Sequence, residues 1–475
     1  MAGTSGESRP PSPFDSLGAG LAANLPAPPG RGFHGASRDA ADENGTRGTE
    51  PNQSESAIRA RVKILYVSQY FPPEMGAPAA RVGELAWHWV QNGHEVTVLT
   101  GFPNHPTGVV PPEWRARLRR LAYRERVNGV NVVRTWLWPL PNRKAHERML
   151  NYSSFCLSAA LQGFGMARPH VVVATSPQLL VGLAGWWIAR WQRVPFVFEV
   201  RDLWPESLVA VGVGSDQSLL HRTLGGVAGF LYREAQRIVV VTPAFEEHLV
   251  RHWHVPSSKI TIVENGVETD LFSPSNTSAR IRHELDAEGK FLVCYAGTMG
   301  LAHGLETLVE AAARLQSSHP EVVFVLVGEG AEKERIRELA ASRALHNIRF
   351  VGQQPRETVP WYINASDVCL VPLKKTELFR TVLPTKMLEF MSCARAVIVG
   401  VEGEARKLVE AAKAGIVIEP ENATALADAI ERLARDPVQR EALGRNGRNY
   451  ILEHYSRKQT AVGYASALQE LLGKR

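Results

Sequence analysis

The chain has 475 residues, of which 44% are hydrophobic and 21% are charged, and this composition describes a soluble globular protein. Its length exceeds what one hydrophobic core normally organises, so two domains are expected. The net charge of +6 is modest for this length; it permits an acidic ligand or an anionic membrane surface but does not indicate a nucleic-acid-binding protein.

The four cysteines, Cys156, Cys294, Cys369 and Cys393, are far apart in the sequence and lie in apolar contexts. This pattern predicts buried free thiols in a reducing compartment, not disulfides or a metal site. The first stretch of the chain has no apolar core and does not resemble a secretory signal.

Residues 1–59 are rich in Gly, Pro, Ser and Ala and contain few large apolar residues, which predicts a disordered tail. Order is expected from Val62, where VKILYVS is a strand followed by a loop and a helix from about Ala79 to Asn92. Further strands are predicted at HEVTVLT, NVVRTWLW, PHVVVATS, PFVFEVRD, RIVVVTPA and KITIVENGV. Strands that alternate with helices indicate a parallel doubly wound sheet, so residues 60–275 are predicted to be the first domain.

The longest uncharged run, Val171 to Ala189, is close to the length of a membrane-spanning helix. Ser176 and Pro177 interrupt it. We therefore expect a buried strand, a turn and a core helix instead of one spanning helix.

A second strand, loop and helix unit begins at Phe291–Ala296, an apolar run typical of a buried parallel strand. Gly297, Gly300 and Gly304 follow it and lead into a helix near Leu305. Glycines let backbone N–H groups approach a ligand, and a helix N-terminus favours an anion, so this loop is a candidate phosphate site. The alternative is that the glycines only close a tight turn.

The second half continues with strands at VVFVLVGEG, NIRFVG, SDVCLVPL, RAVIVGV and GIVIEP. We expect a second doubly wound domain over residues 276–450. Residues 451–475 are predicted to be a C-terminal helix that could cross back to the first domain.

Polar candidates follow the strands of the second domain, where doubly wound sheets bind ligands. Glu329 and Gly352 lie at two strand ends, while Lys386 and Glu389 lie three residues apart at the start of a helix. Lysine offers a cation to phosphate, and glutamate offers two acceptors to ribose hydroxyls. The alternative for Lys386 and Glu389 is a solvent-facing helical ion pair.

Taken together, these stretches resemble the family 4 glycosyltransferases, whose GT-B fold is an α/β architecture of two tandem Rossmann-like doubly wound domains facing a central cleft. The resemblance covers nearly everything after residue 60. In the second half it rests on GTMGLAHGLE, LVGEGAEK, LPTKMLEFM and GEARKLVEAAKAG. In the first half ILYVSQYFPPEMGAPAAR, GHEVTVLTGFPNHPTG and EVRDLWPES are similar to the branch that adds amino or deoxy sugars to lipid-linked O-antigen, capsule and colanic acid precursors.

The resemblance implies a retaining glycosyltransferase that moves an N-acetylamino or deoxy sugar from a nucleotide diphosphate to a lipid-linked or glycan acceptor. Neither a cofactor nor a metal ion is expected, because His303, Lys386 and helix dipoles would supply the positive charge. Glu389 would hold the ribose, and the base would stack near Phe350–Gly352. The implied donor-binding residues are Gly76, Gly297, Gly300, His303, Gly304, Glu329, Gly352, Arg380, Lys386 and Glu389.

The chain departs from the family pattern near its helix at Lys386. Relatives often carry two glutamates eight residues apart, but the position eight before Glu389 is Thr381; Arg380 or a backbone amide is a candidate substitute. Relatives also tend to have Gly and Pro where Ala394 and Ala396 stand. An αL conformation at Ala394 would cost about 1 kcal/mol relative to glycine.

On the acceptor side, many relatives place a histidine where this chain reads VVVATSPQ. The candidate catalytic residues are therefore Asp202, as a group that contacts or deprotonates the acceptor hydroxyl, and His105. Arg201 and Glu206 are acceptor-side candidates. The alternatives are that Asp202 caps a helix or pairs with Arg201, and that His105 fills a loop.

The segment Glu113 to Arg126, EWRARLRRLAYRER, combines many arginines with Trp114 and other apolar residues at intervals of three to four. This spacing predicts a basic amphipathic helix that could lie on an anionic membrane, or else a solvated charged helix. The resemblance favours the membrane, so a cytoplasmic protein attached peripherally to the inner face of the plasma membrane is expected.

Two alternatives to a glycosyltransferase remain open from the sequence. A nucleotide-sugar epimerase shares the tandem architecture, and a non-catalytic nucleotide-sugar binding protein would result if the acid missing at Thr381 abolished turnover. An NAD-dependent oxidoreductase is disfavoured, because neither half has G-x-G-x-x-G after its first strand with an acid about 20 residues on.

Overall fold

A computed structural model of the chain describes residues 61–105, 108–141, 145–207, 218–276 and 278–473. The tail predicted at residues 1–59 lies outside this range.

In the described residues, the first half forms a sheet of eight strands. They are β1 Lys63–Val67, β2 Glu95–Gly101, β3 Ala122–Val127, β4 Val130–Thr135, β5 Val171–Thr175, β6 Phe196–Val200, β7 Arg237–Val240 and β8 Ile260–Ile262. Their order is β3-β4-β2-β1-β5-β6-β7-β8. β3 runs antiparallel to β4, and the other neighbours are parallel. The helices of this half are α1 Ala77–Gln91, α2 Pro112–Leu118, α3 Ala145–Gln162, α4 Leu179–Gln192, α5 Leu219–Glu234 and α6 Pro243–Trp253.

The second half, over the residues described, forms a parallel sheet of six strands. They are β9 Phe291–Ala296, β10 Val322–Val327, β11 Ile348–Val351, β12 Val368–Pro372, β13 Ala396–Gly400 and β14 Gly415–Val417. Their order is β11-β10-β9-β12-β13-β14, which is the Rossmann order. The helices from here onward are α7 Ser278–Glu284, α8 Glu306–Ser318, α9 Lys333–Ser342, α10 Val359–Ala365, α11 Thr385–Ser392, α12 Glu404–Ala412, α13 Ala423–Arg435, α14 Pro437–His454 and α15 Arg457–Gly473.

The central strands are buried on both faces, which is why they read as continuous apolar runs. Every residue of β9 and β10 is buried. Along β9, Leu292 and Cys294 join one hydrophobic cluster while Val293 and Tyr295 join another, because successive side chains of a strand point to opposite faces. Helices therefore cover both sides of each sheet, and the predicted doubly wound α/β fold is confirmed.

The C-terminal helix α15 packs against the first half of the chain. The Trp89 indole in α1 donates a hydrogen bond to the carbonyl of Ala461 at 2.9 Å, and its ring meets that of Tyr464 edge to face at 5.2 Å. Ala461, Tyr464 and neighbouring apolar residues of α15 share a core cluster with β1 and α1. The last helix thus completes the core that the first strand begins.

The predicted amphipathic helix over Glu113–Arg126 is wrong in its second half. The helix ends at Leu118, and residues Ala122–Val127 form strand β3. Asn128 and Gly129, with φ of 49° and 85°, make the two-residue turn that joins β3 to β4, and Asn-Gly is the preferred sequence for such a hairpin. Strand pairing therefore overrides the helical spacing.

The uncharged run at Val171–Ala189 folds as predicted, into β5, a turn and most of α4. Within the described ranges, we find no helix whose length and apolar content would let it cross a membrane.

All four cysteines are free, and Cys294, Cys369 and Cys393 are buried while Cys156 is half-buried. Although far apart in sequence, Cys294 and Cys369 face each other across β9 and β12. Burial raises the pKa of the Cys369 thiol well above its usual value, which keeps it protonated and unreactive.

Candidate active site

A cavity of about 340 Å³ lies between the two halves, at the carboxyl ends of β9 and β10. Its lining combines residues of both halves. From the first half come Met75, Gly76, Ala77 and His105; from the second come Ala296, Gly297, Thr298, His303, Val327, Gly328, Glu329, Gln353, Gln354, Arg356, Val359, Pro384, Thr385, Lys386 and Glu389. A doubly wound sheet binds ligands at this edge.

Glycines shape the floor of the cavity because two strand ends approach each other closely. Gly297 follows β9 with φ of 143°, and Gly328 follows β10 with φ of 140°. A Cβ on Gly328 would overlap the carbonyl of Gly297, and a Cβ on Gly297 would press on the Lys386 side chain. Only glycine satisfies both the backbone angle and the space at these two positions.

His303 lies in a 3-10 turn, Leu301–His303, between the glycine loop and α8. Its ring meets Tyr295 edge to face at 5.9 Å, and its Nδ1 is buried with no hydrogen-bond partner among the described residues. Burial, reinforced by the nearby charge of Lys386, lowers the pKa of His303 well below its usual value. The lowered pKa favours the neutral imidazole, which can exchange hydrogen bonds with a ligand.

Lys386 enters the cavity from the first turn of α11. Its Nζ donates to the Tyr295 hydroxyl at 2.8 Å and lies 4.0 Å from the centre of that ring. Burial lowers the pKa of Lys386 to about 7. The lysine therefore titrates near neutral pH, far below the range of an exposed lysine.

Glu389 lines the same cavity one helical turn further along α11. Its Oε1 accepts from Nη1 of Arg356 at 2.9 Å, while Lys386 bonds to Tyr295. The alternative of a solvent-facing pair between Lys386 and Glu389 is thus wrong. Burial raises the pKa of Glu389, and the charge of Arg356 offsets part of that rise.

Arg356 connects this site to the first half of the chain. Its Nη2 donates to Oε1 of Glu84 in α1 at 2.6 Å, and the other oxygen of Glu84 accepts from Nε of Arg457 in α15 at 2.8 Å. Burial works to raise the pKa of Glu84, but the two arginines outweigh it and hold the pKa below its usual value. The result is an ionic chain from Glu389 to α15.

The first half contributes two loops to the cavity. Gly76, with φ of 124°, precedes α1, and His105 packs its ring against Tyr70 at 4.9 Å. The Glu74 carboxylate joins these loops, since it accepts from the backbone N–H groups of Asn104 at 2.9 Å and His105 at 3.0 Å. Burial raises the pKa of Glu74 to about 7 and lowers that of His105.

Several predicted donor residues do not line the cavity. Gly300 and Gly304 flank the 3-10 turn that carries His303. Gly352 is next to the Glu329 side chain, since a Cβ on Gly352 would lie 3.5 Å from its Oε1. Arg380 is exposed and pairs with Glu377 at 3.1 Å.

The acceptor-side candidates also lie outside the cavity lining. Asp202 accepts from the Ser207 hydroxyl at 3.2 Å, and burial raises its pKa to about 6. Arg201 donates to the carbonyl of Ala77 at 3.4 Å, while its Nε and Nη1 have no partner in the part of the chain that the structure describes. Glu206 accepts from His248 and Trp253, each at 3.2 Å, which is a structural contact between α6 and the loop after β6.

No sequence motif marks three residues of the ionic chain. Glu84, Arg356 and Arg457 are separated by hundreds of residues or lie in ordinary helical and loop patterns, so only the tertiary fold shows their pairing. Where the structure describes the chain, no three His, Cys, Asp or Glu side chains cluster closely enough to hold a metal ion.

Two family models match the chain, one on each half. The model for the glycosyl transferase 4-like domain matches residues 76–266, and the model for glycosyl transferases group 1 matches residues 277–450.

Individual relatives agree with these models. A protein of Escherichia coli K12 provisionally named colanic acid biosynthesis glycosyl transferase WcaI is 25% identical over 400 residues, or 78% of this chain and 92% of its own. Sucrose-phosphate synthase from Thermosynechococcus elongatus superposes with a TM-score of 0.71 at 22% identity, covering 87% of this chain and all of that one. Anabaena Alr3699/HepE, solved with UDP-glucose, superposes with a TM-score of 0.65 at 16% identity over 86% of this chain and 100% of its own.

The solved structures share the two-sheet architecture and confirm the predicted GT-B fold. The two family models together match well over half of the chain, each on one doubly wound sheet. The chain is therefore a glycosyltransferase of the GT-B fold and belongs to the group 1, family 4 type that its sequence resembles.

Proposed function

We propose that the chain is a retaining glycosyltransferase that moves a sugar from a nucleotide diphosphate to a lipid-linked or glycan acceptor in cell-surface polysaccharide synthesis. The observation that carries the proposal is the shared cavity, where His303, Lys386 and Glu389 of the second half meet Gly76 and His105 of the first. Two relatives support it, since one is named for colanic acid biosynthesis and another was solved with UDP-glucose.

The donor diphosphate would lie over Gly297, within reach of Lys386 and His303. The approach of two phosphates raises the pKa of Lys386, so the lysine becomes a full cation when the donor binds. The neutral imidazole of His303 then supplies a hydrogen bond. Glu389 would turn its carboxylate oxygens to the ribose hydroxyls, which are donors of the kind a carboxylate accepts from.

Transfer would follow a course that retains the anomeric configuration. The bond from the anomeric carbon to the diphosphate oxygen breaks while the acceptor oxygen bonds to the same face of that carbon, and the acceptor proton passes to the departing diphosphate or to a base. Charge stabilisation of the diphosphate supplies most of the rate, so no enzyme nucleophile, cofactor or metal ion is proposed. Asp202 and His105 are the proposed bases; His105 lines the cavity, whereas Asp202 lies outside the lining and would have to contact the acceptor from the first-half side.

We also propose that the sugar is an N-acetylamino or deoxy sugar and that the protein acts at the inner face of the plasma membrane, where a lipid-linked acceptor would lie. The sequence resemblance is the support for both. Arg380, by contrast, is not proposed to replace the missing family acid, because its guanidinium is exposed and pairs with glutamates.

The proposal is tested by thermal stabilisation with a panel of nucleotide sugars. A ligand at 100 times its Kd adds about 2.7 kcal/mol to the free energy of unfolding. A donor found in this way is then incubated with and without acceptor, and the products are separated. Conversion of the donor into its epimer without an acceptor would support the epimerase instead, and the absence of stabilisation by every nucleotide sugar would contradict the proposal.

Replacing Glu389 by Ala should weaken donor binding at least tenfold, because hydrogen bonds to a charged acceptor contribute roughly 1.5–3 kcal/mol each. The matched control is Glu377→Ala, since the Glu377 side chain is 89% exposed and outside the cavity. Calorimetric titration of both variants checks the expectation. Equal affinities would show that Glu389 does not hold the donor.

A further inference from the structure

We infer that the exposed face of α3 and α4, with the turn that follows α3, docks on an anionic phospholipid bilayer. We call this surface the α3–α4 face; it consists of Leu150, Leu157, Leu161, Phe164, Trp187, Arg190, Trp191 and Arg193. The inference rests on the proposed function, because a lipid-linked acceptor would lie in a membrane. It adds which surface of the protein contacts that membrane and which lipids the surface prefers.

The first observation is an apolar stripe along α3. Leu150, Leu157, Leu161 and Phe164 are 45%, 64%, 59% and 42% exposed and recur at intervals of seven, four and three, which places them on one side of the helix. Phe155 and Ala159 on the opposite side are fully buried in the core. The helix is thus apolar on the face that its own domain does not cover.

Aromatic side chains of α4 continue the stripe. Trp187 and Trp191 are 43% and 61% exposed, and the Phe164 ring lies 6.3 Å and 4.7 Å from theirs, edge to face in both cases. Tryptophan combines a large apolar ring with one N–H donor, and this suits it to the boundary between lipid and water.

The positive charge of the α3–α4 face favours an anionic bilayer. Between Glu147, in the first turn of α3, and Glu199, in β6, the chain contains no Asp or Glu but includes Arg168, Arg190 and Arg193. Arg190 and Arg193 line one shallow hollow together with Trp187 and Trp191, and all four side chains are exposed. Apolar rings flanked by arginines, with no acid in the segment, match a bilayer of acidic lipids.

The stripe begins beside the active-site cleft. At the start of α3, Asn151 accepts from the amide of Gln69 at 2.6 Å and donates to the carbonyl of Trp138 at 2.8 Å. The Tyr152 hydroxyl pairs with that of Tyr70, whose ring packs on His105 of the cavity. If the α3–α4 face contacts the bilayer, the part of the active-site cavity that the first half of the chain forms therefore lies close to the lipid.

The segment at Glu113–Arg126 is less suited to this role. Its one tryptophan, Trp114, is buried, and the guanidinium groups of Arg117 and Arg134 each lie 4.6 Å from the centre of its ring. The ring is thus occupied within the domain and is not available to lipid.

The test is cosedimentation of the full chain with vesicles of phosphatidylcholine, with or without phosphatidylglycerol, at low and high salt. Binding should require phosphatidylglycerol and weaken with salt, since surface attraction is screened within a Debye length. Arg190→Gln with Arg193→Gln should weaken binding roughly thirtyfold, at about 1 kcal/mol per arginine. The matched control is Arg119→Gln with Arg120→Gln, which removes the same charge from the other segment and should change binding less than threefold.

A second pair of variants tests the apolar contact. Leu157→Ser with Leu161→Ser should reduce vesicle binding at least tenfold, whereas Val438→Ser with Leu452→Ser, two exposed apolar positions of α14, should not. These side chains are exposed, so thermal unfolding should be nearly unchanged in all four variants.

The inference is overturned if wild-type protein ignores phosphatidylglycerol, or if the Arg119 and Arg120 variant loses binding while the Arg190 and Arg193 variant keeps it. Thermal stabilisation by a nucleotide sugar is measured on the same samples without vesicles. If the wild-type protein does not bind the vesicles but is stabilised by a nucleotide sugar, only the docking face is refuted. If it binds the vesicles but no nucleotide sugar stabilises it, only the proposed function is refuted.

Discussion

Donor binding should be coupled to the uptake of a proton by Lys386. Burial lowers the pKa of Lys386 to about 7, whereas two donor phosphates beside its Nζ would raise that pKa again. Because the phosphates prefer the ammonium form, donor affinity should be fully present below pH 7 and should be lost as the pH rises above 7. The linking phosphates of a nucleotide sugar do not titrate in this range, so the dependence would belong to the protein.

The expected size follows from the protonated fraction. With a pKa of about 7, half of the lysines are charged at pH 7 and about 1% at pH 9. The dissociation constant of the nucleotide sugar should therefore rise roughly fiftyfold between these pH values, or about 1.4 kcal/mol for each tenfold step. At pH 8 each binding event should take up about 0.9 proton.

Isothermal titration calorimetry in buffers of different ionisation enthalpy measures this proton directly. The control is Lys386→Gln, which cannot take up the proton and should bind the donor with a nearly constant affinity from pH 7 to pH 9. Glu74, whose pKa is also about 7, is intact in that variant, so any slope it causes would persist there. A wild-type uptake near zero at pH 8, or the same uptake in Lys386→Gln, would refute the coupling.

Three further outcomes are expected. Glu84→Gln should lower the free energy of unfolding by about 3 kcal/mol in urea denaturation, because it removes the countercharge of the buried Arg457 and one of the two carboxylates paired with the half-buried Arg356. The exposed control Glu377→Gln should lower it by less than about 0.5 kcal/mol. Gly328→Ala should lower the free energy of unfolding by at least about 2 kcal/mol in the same measurement, since the new Cβ would overlap a backbone carbonyl at a residue with a positive φ. The control is Gly463→Ala in α15, where a Cβ would meet no atom of the described residues within 4 Å. This variant should be neutral or slightly stabilising. Asp202→Asn should slow transfer with donor affinity unchanged and remove the rise in rate as the pH passes about 6, the pKa to which burial raises this carboxyl; a variant with wild-type rate and pH profile would exclude Asp202 as the base.

Most of the fold was predictable because buried parallel strands are marked by short runs of apolar residues. Those runs located thirteen of the strands in the described residues, including β5 within the long uncharged run. Strand β3 was missed because AYRERV alternates as an edge strand does while its apolar spacing also fits a helix. The Asn128–Gly129 turn was the available signal for it.

The residues of the site were predictable only where they belong to short sequence motifs. The glycine loop, Lys386 and Glu389 lie in short motifs, and the fold brings them to one cavity. The pKa shifts were not predictable, because burial in the tertiary fold causes them: it lowers the pKa of both His303 and Lys386. The partner of Glu389 was hidden for another reason, since Arg356 has no marked pattern around it and acts through Glu84, 272 residues away.

The position of α15 has a consequence for how the chain is made. Its side chains fill the core beside β1 and α1, although α15 follows those elements at a great distance in the sequence. The first sheet therefore keeps an apolar surface uncovered until α15 has been synthesised, while the second sheet can assemble from neighbouring segments as they emerge. A nascent chain stalled before residue 457 should consequently be more sensitive to protease in its early half than the released protein is.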